Sequence, residues 1–292
     1  MQDKRKGVKR LGETNSKRRN RLRAQQASKK RGQNWKPGWP LSEEERTLLK
    51  PLIARARELG RTPTVKEVAE ASRIKAHFRI WRVAVEAASL PSLNDPEQVH
   101  LRSLEGEKMK CNQALAFAQE EGFEAAIIDT GKIVFDESFR KYCEENLCGQ
   151  YQVNYSCPPT CGSPDEMWKK ALGFGKALVV KSGWDVPDWH NAAAIRRAKK
   201  THNEAMLRIL SRMEEAGYQG LMCGASCCSL CEQCAMSAGE PCRFPDRKFS
   251  CLSAYCINVS KLAEACGMEY SWEEGKLGLY GMILFGSQNR KK

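Results

Sequence analysis

Cys228, Cys231, Cys234 and Cys242 follow one another as Cys-x2-Cys-x2-Cys-x7-Cys, with Arg243 and Pro245 close behind. Two-residue spacing lets three thiolates from one looped segment converge on a compact centre while nearby backbone amides point at the sulfurs, and a fourth ligand arrives from further along. Ferredoxin-like loops hold a cubane cluster in this way, so the spacing predicts an iron–sulfur centre of the 4Fe-4S type. Zinc is the alternative, because four thiolates also satisfy its tetrahedral demand, although structural zinc sites usually pair two short knuckles across a wider gap. A second group runs Cys143-x4-Cys148-x8-Cys157-Pro158-Pro159-Thr160-Cys161. Cys143, Cys148, Cys157 and Cys161 are candidate metal ligands that close a second site or in part complete the first, and the prolines stiffen the loop around Cys157. Cys111, Cys223, Cys251, Cys256 and Cys266 are expected to be buried, inert thiols.

The compartment favours metal over disulfides. The start of the chain, Met1 to Arg10, is charged with no apolar stretch behind it, and no run is long enough to span a bilayer. These features predict a cytoplasmic protein with no membrane partner, where grouped cysteines hold metal or do redox work. Other chemistry is missing: there is no Gly-rich phosphate loop and no His-Glu-x-x-His helix. The four histidines, at 77, 100, 190 and 202, stand apart in sequence. The sequence therefore assigns no reaction, and whether the chain is an enzyme stays open.

Charge and cysteine separate along the chain. Residues 1–100 hold 24 Lys/Arg against 11 Asp/Glu, so the whole formal net charge of +13 lies there, whereas all 14 cysteines lie between Cys111 and Cys266. Residues 1–36 carry 14 Lys/Arg with Asp3 and Glu13 as the only acids; such a segment is expected to be a disordered basic arm attracted to a polyanion such as nucleic acid. Residues 40–90 are expected to form a three-helix module. Ser42-Glu43-Glu44-Glu45 is a capping box opening a helix that Gly60 ends, and Thr64 to Glu67 repeats the signal for a shorter one. A third helix is expected from about Arg73 to Ala88, with Ile74, Phe78, Trp81 and Val85 on one face. Lys75, Arg79 and Arg82 fall away from that stripe and are the candidate nucleic-acid-binding residues.

Residues 91–105, with Pro91, Pro96 and few apolar positions, read as a linker to a Cys-rich metal-binding domain over 106–292. Within that domain the patterns predict a helix near Glu107 to Glu121, strands at Ala125–Thr130, Lys132–Phe135, Ala177–Ser182, Gly220–Cys223 and Leu279–Phe285, a short helix capped by Ser163, and a long helix over Ala192–Ala216. The expected fold class is α/β or α+β, a mixed sheet with flanking helices and Cys-rich loops.

Two resemblances join these features. Cys143 to Pro159 with Tyr151, Cys228-Ser229-Leu230-Cys231-Glu232-x-Cys234, Pro241-Cys242-Arg243-x-Pro245 and Ile257-Asn258-Val259 resemble domain of unknown function 2284, a family of predicted metal-binding proteins, over about residues 107–290. The resemblance implies metal binding without an established reaction, and it carries over Cys143, Cys148, Cys157, Cys228, Cys231, Cys234 and Cys242 as ligands. Relatives of that family usually have Gly where Gln152 and Cys256 stand and Ser at Cys251. Glu58 to Thr64, with Phe78, Trp81 and Ala87-Ala88, resembles the homing-endonuclease-associated repeat, a three-helix module associated with DNA binding. It departs from that pattern at Arg79-Ile80, where a Gly-Ser pair usually stands. A further register, Cys227-x3-Cys231-x2-Cys234, is similar to the triad of radical S-adenosylmethionine enzymes, but only 58 residues follow Cys234, too few for a barrel of ordinary size. Together these features predict an iron–sulfur protein acting in electron transfer with a redox partner protein, docked to DNA or another nucleic acid through its N-terminal region. The alternatives are a redox- or metal-sensing DNA-binding regulator and a zinc-stabilised binding module.

Overall fold

A computed structural model of the chain describes Trp35, residues 40–271 and residues 273–287, with the side chain of Ser287 not described. The basic arm expected over 1–36 lies outside these residues apart from Trp35. The chain divides into two compact units, Met1–Glu107 and Lys108–Lys292.

In the first unit, α1 (Glu43–Leu59) begins where predicted. Ser42 Oγ accepts from the Glu45 amide at 3.2 Å, and Glu45 Oε2 accepts from the Ser42 amide at 2.9 Å. Gly60, at φ 64°, ends the helix. The Thr64 box yields a single 3-10 turn, Val65–Glu67. The third helix is two: α2 (Ala71–Phe78) and α3 (Trp81–Ala87). Arg79 takes φ 62° between them, which breaks the i to i−4 ladder, yet Ile74, Phe78, Trp81 and Val85 are all buried as their spacing requires. They pack with Leu49 and Leu52 of α1.

The segment read as a linker is helical from Pro96, in α4 (Pro96–Glu120). Asp95-Pro96-Glu97 is an N-terminal signal in its own right: Pro loses no hydrogen bond at the first helical position, and Asp95 Oδ1 accepts from the Glu97 amide at 3.0 Å. The segment is also tied down. Gln98 Oε1 accepts from the Thr62 amide at 2.6 Å, and the buried Arg61 guanidinium is clasped by Glu67 and Glu105, each at 2.6 Å.

The second unit is built on a five-stranded mixed sheet in the order β1 (Glu124–Asp129), β2 (Phe174–Asp185), β5 (Lys276–Ser287), β3 (Gly220–Gly224), β4 (Ser250–Cys251). All neighbours are antiparallel except β3 and β4. Ala177 to Val180 of β2 are fully buried because both sheet faces are covered. Ala177, Val179, Met282 and Leu284 pack toward α6 (Pro164–Leu172) and α8 (Val259–Cys266). Leu178, Val180, Ile283 and Phe285 face the C-terminal half of α4 and α7 (Ala192–Glu215), as the two-residue period of a strand demands. Lys132–Phe135 is not a strand of the sheet. A 3-10 turn at Thr130–Lys132, held by Thr130 Oγ1 donating to the Phe174 carbonyl at 2.6 Å, takes the chain off the edge, and only a lone bridge joins Phe135 to Ile257. A short helix, α5 (Arg140–Glu144), follows. No helix of the described residues is long and apolar enough to cross a membrane.

Candidate metal centre

Cys143 sits on α5 and the rest of its group on the loop from α5 to α6, the second group lies on the loop between β3 and β4, and buried polar side chains stitch the loops together. Asn203, buried on α7, accepts from the Ala225 amide and donates to Ser226 Oγ, each at 3.0 Å, and so fixes the chain as it leaves β3. Gly224 is obligatory there: a Cβ would stand 2.7 Å from Asn203 Oδ1 and 2.8 Å from the Phe249 ring. Ser156 Oγ donates to Asn154 Oδ1 at 2.8 Å and accepts from the Cys228 amide at 2.9 Å, while Asn154 Nδ2 donates to the Cys228 carbonyl at 3.3 Å. Tyr155 Oη donates to the Glu240 carbonyl at 2.8 Å. Cysteine spacing could not name Asn154, Ser156 or Asn203. The signal for Asn203 is a polar residue buried beside Met206 on the apolar stripe of a long helix.

Cys228, Cys231, Cys234 and Cys242 line one cavity of about 20 Å³, together with Asn154, Ser156 and Arg243. Burial pushes the Cys228 thiol up, and the amides of Leu230 and Phe249, directed at its sulfur, draw it back down. Arg243 shares that cavity wall with Cys231, and its guanidinium donates to Glu240 at 3.2 Å. The sequence-predicted set therefore borders a single cavity. Its donors fit a thiophilic metal. A volume of this size admits about one water-sized body, and among the described residues no three His, Cys, Asp or Glu side chains converge at the spacing of a single bound ion.

Cys143, Cys148 and Cys157 line a second cavity, of about 210 Å³, in which Cys227 and Cys251 join them. Cys157 and Cys227 share a hydrogen bond that draws the Cys227 thiol down and, with burial, raises that of Cys157; Lys199 lowers Cys227 further. Burial holds the Cys251 thiol up at about 12. Cys161 does not line this cavity. Its sulfur lies 3.8 Å from the guanidinium of the buried Arg140, beside the apolar core. Both cysteine sets border a solvent-open groove of about 790 Å³ that Arg196, Lys199 and Lys200 flank from α7.

Over residues 126–285 the sequence matches a family described as predicted metal-binding protein (DUF2284). The chain belongs to that family. The DUF2284 region takes in the whole sheet but for the ends of β1 and β5, along with both cysteine loops. Residues 43–91 match the homing endonuclease associated repeat, the stretch that forms α1 to α3. No curated protein and no solved structure matches the chain. Within the repeat, Lys75, Arg79 and Arg82 are all exposed, placed at the α2–α3 corner with the exposed Ile80.

Proposed function

We propose that this DUF2284 protein is an iron–sulfur electron carrier whose repeat module docks it to nucleic acid. What carries the reading is the gathering of Cys228, Cys231, Cys234 and Cys242 around one cavity, with backbone amides on the Cys228 sulfur and a solvent-open groove alongside, lined by Arg196, Lys199 and Lys200 against Glu204 and Glu232. A cluster held by these thiolates supplies one-electron chemistry, which needs no acid–base residues from the protein. The protein's own part is to present four sulfurs, direct amide dipoles at them, and offer Arg196, Lys199 and Lys200 to an acidic redox partner. Cys143, Cys148 and Cys157 are further candidate ligands, on a cavity that Cys161 does not line. Lys75, Arg79 and Arg82 are the residues proposed to meet nucleic acid.

Anaerobic purification followed by visible absorption and iron and sulfide analysis tests the reading. A brown protein with stoichiometric iron and sulfide is expected. A colourless, iron-free, zinc-loaded protein would sink it. The small volume enclosed by the 228–242 loop favours zinc as the second reading, because one ion fits about 20 Å³ once the four sulfurs close on it, whereas a cluster requires that loop to open. A regulator that senses redox state through the same centre predicts that DNA affinity changes when the cluster is oxidised.

A further inference from the structure

The roomier thiol cavity belongs to a ligand set that neither cysteine motif spells out. Five cysteines line it from four stretches of chain: Cys143 and Cys148 at α5 and the turn after it, Cys157 ahead of the proline pair, Cys227 at the exit of β3, and Cys251 on β4. A volume of about 210 Å³ accommodates a multi-atom group rather than one ion. Cys227 and Cys228 are consecutive, yet Cys227 faces this cavity and Cys228 the other. Asn203, which holds the Ala225 amide ahead of that pair, and Ser156, which accepts from the amide between its two residues, fix the division.

We infer that Cys143, Cys148, Cys157 and Cys227 hold a second iron–sulfur cluster, separate from the centre of Cys228, Cys231, Cys234 and Cys242, with Cys227 taking the place that the spacing of the first loop gives to Cys161. Cys157 and Cys227 line the cavity together, one from the first cysteine loop and the other from the exit of β3. Cys161 is turned toward Arg140 and the apolar core. Each thiol gives up its proton on ligating iron, so the filled site is a net anion, and a buried anion requires counter-charge. Two cations supply it: Lys199 lines the cavity, and Arg140, buried on the same helix as Cys143, lies within Coulombic range of that sulfur. Cys251 is a bystander on β4, its carbonyl accepting from the Ala254 amide at 3.0 Å. The Cys227–Cys228 peptide then joins ligands of two centres, a through-bond route for an electron between them.

This inference rests on the iron–sulfur reading, and the experiment separates their failures. The full chain and a variant with Cys228, Cys231, Cys234 and Cys242 all changed to Ser are reconstituted anaerobically with ferric iron, sulfide and dithiothreitol. Iron, sulfide and the electron paramagnetic resonance spectrum of the dithionite-reduced protein are then measured. The variant is expected to keep about half the iron and sulfide of the unaltered chain and one of its two resonance signals. Adding Cys227→Ser to it removes that signal and lowers the iron several-fold, while adding Cys161→Ser or Cys251→Ser leaves both unchanged. Iron and sulfide missing from the unaltered chain overturn the iron–sulfur reading itself. If the unaltered chain takes up a cluster and the folded four-serine variant takes up none, or if Cys161→Ser strips the residual iron and Cys227→Ser does not, the second site is refuted. Should the four-serine variant fail to fold by circular dichroism, the single Cys227→Ser chain decides: loss of one of two resonance signals with about half the iron upholds the site, and an unchanged spectrum overturns it.

Discussion

Arg79, Gln152 and Cys256 hold φ of 62°, 62° and 55°, a region where a side chain crowds its own backbone. These are the positions at which the two resembled families usually carry glycine. Arg79→Gly and Gln152→Gly should each stabilise the fold by up to about 1 kcal/mol, since relief of strain outweighs the added freedom of the unfolded chain. Urea unfolding checks this, and a lower midpoint in either variant contradicts it. For Arg79 the same change should weaken nucleic-acid binding, because the strained residue is one of the three exposed cations at the α2–α3 corner. The sequence held this information unused: apolar spacing alone runs one helix from Arg73 to Ala88, while the displaced Gly marks the break. A second residue-scale expectation concerns Glu67. The Arg61 guanidinium, with the amide and hydroxyl of Thr64, holds its carboxyl down at about 2 from an ordinary 4.5. A depressed carboxylate stabilises the fold above its unfolded value and loses that contribution as pH falls from about 4.5 to about 2, on the order of 1–2 kcal/mol after solvent screening. Glu67→Gln should flatten the acid limb of the first unit's unfolding curve over that window; an unchanged limb would show that Arg61 is satisfied by Glu105 alone.

Elements decide where the thiols go, and β3 decides most. Its last residue, Gly224, lets the strand pass within contact of Asn203 and Phe249, and Asn203 then sets the course of Ala225 to Cys228. Gly224→Ala drives a methyl into the Asn203 amide and the Phe249 ring, an overpacking cost of about 1–3 kcal/mol. Bound metal should fall with it, because Cys227 and Cys228 lose their shared anchor. Metal analysis of the folded variant tests the point, and full occupancy would show that the loop sets its own course. On the same helix, His202 is buried and neutral, its value lowered by burial to about 4 from 6.5. Trp184 donates to Ser182 Oγ at 2.7 Å, which leaves the serine proton for His202 Nδ1, also at 2.7 Å. A histidine held below its unfolded value stabilises the fold above about 6.5, and that contribution drains away as pH falls toward about 4. Replacing it by Gln should remove this part of the pH dependence, seen as a flatter profile of melting temperature between those limits. The strands β1, β2, β3 and β5 and the helices α1, α6 and α7 were legible because period and caps agree along them. The helical start at Pro96 and the placing of Cys227, not Cys161, on the wall of the larger thiol cavity were not. The first was hidden by two prolines that read as linker, and the second depends on which loop the sheet brings to face which, a tertiary fact that spacing within one loop does not contain.

At the scale of the molecule, the charge asymmetry is the feature that ties the two units to one function. All of the formal +13 lies in residues 1–100, and the cysteine-bearing unit starts at Lys108. On the proposed function a polyanion attracts one end of the chain and leaves the other to its metal chemistry. Affinity from such an arm comes from release of counterions condensed on phosphates, so its logarithm should fall linearly with the logarithm of salt concentration and be nearly blind to base sequence. The repeat module adds Lys75, Arg79 and Arg82, three cations against the 14 in residues 1–36. Binding of a labelled DNA duplex by the chain lacking residues 1–36 should consequently drop by about 100-fold or more at moderate salt, with a markedly shallower salt slope. Changing Lys75, Arg79 and Arg82 to Ala in the intact chain should cost less affinity and a smaller part of the slope. The opposite ranking would place recognition in the folded corner of α2 and α3 and make the arm an accessory. Affinity that survives both changes would move the nucleic-acid contact away from this end of the chain altogether, and with it the reason for joining a repeat module to a thiol-rich domain.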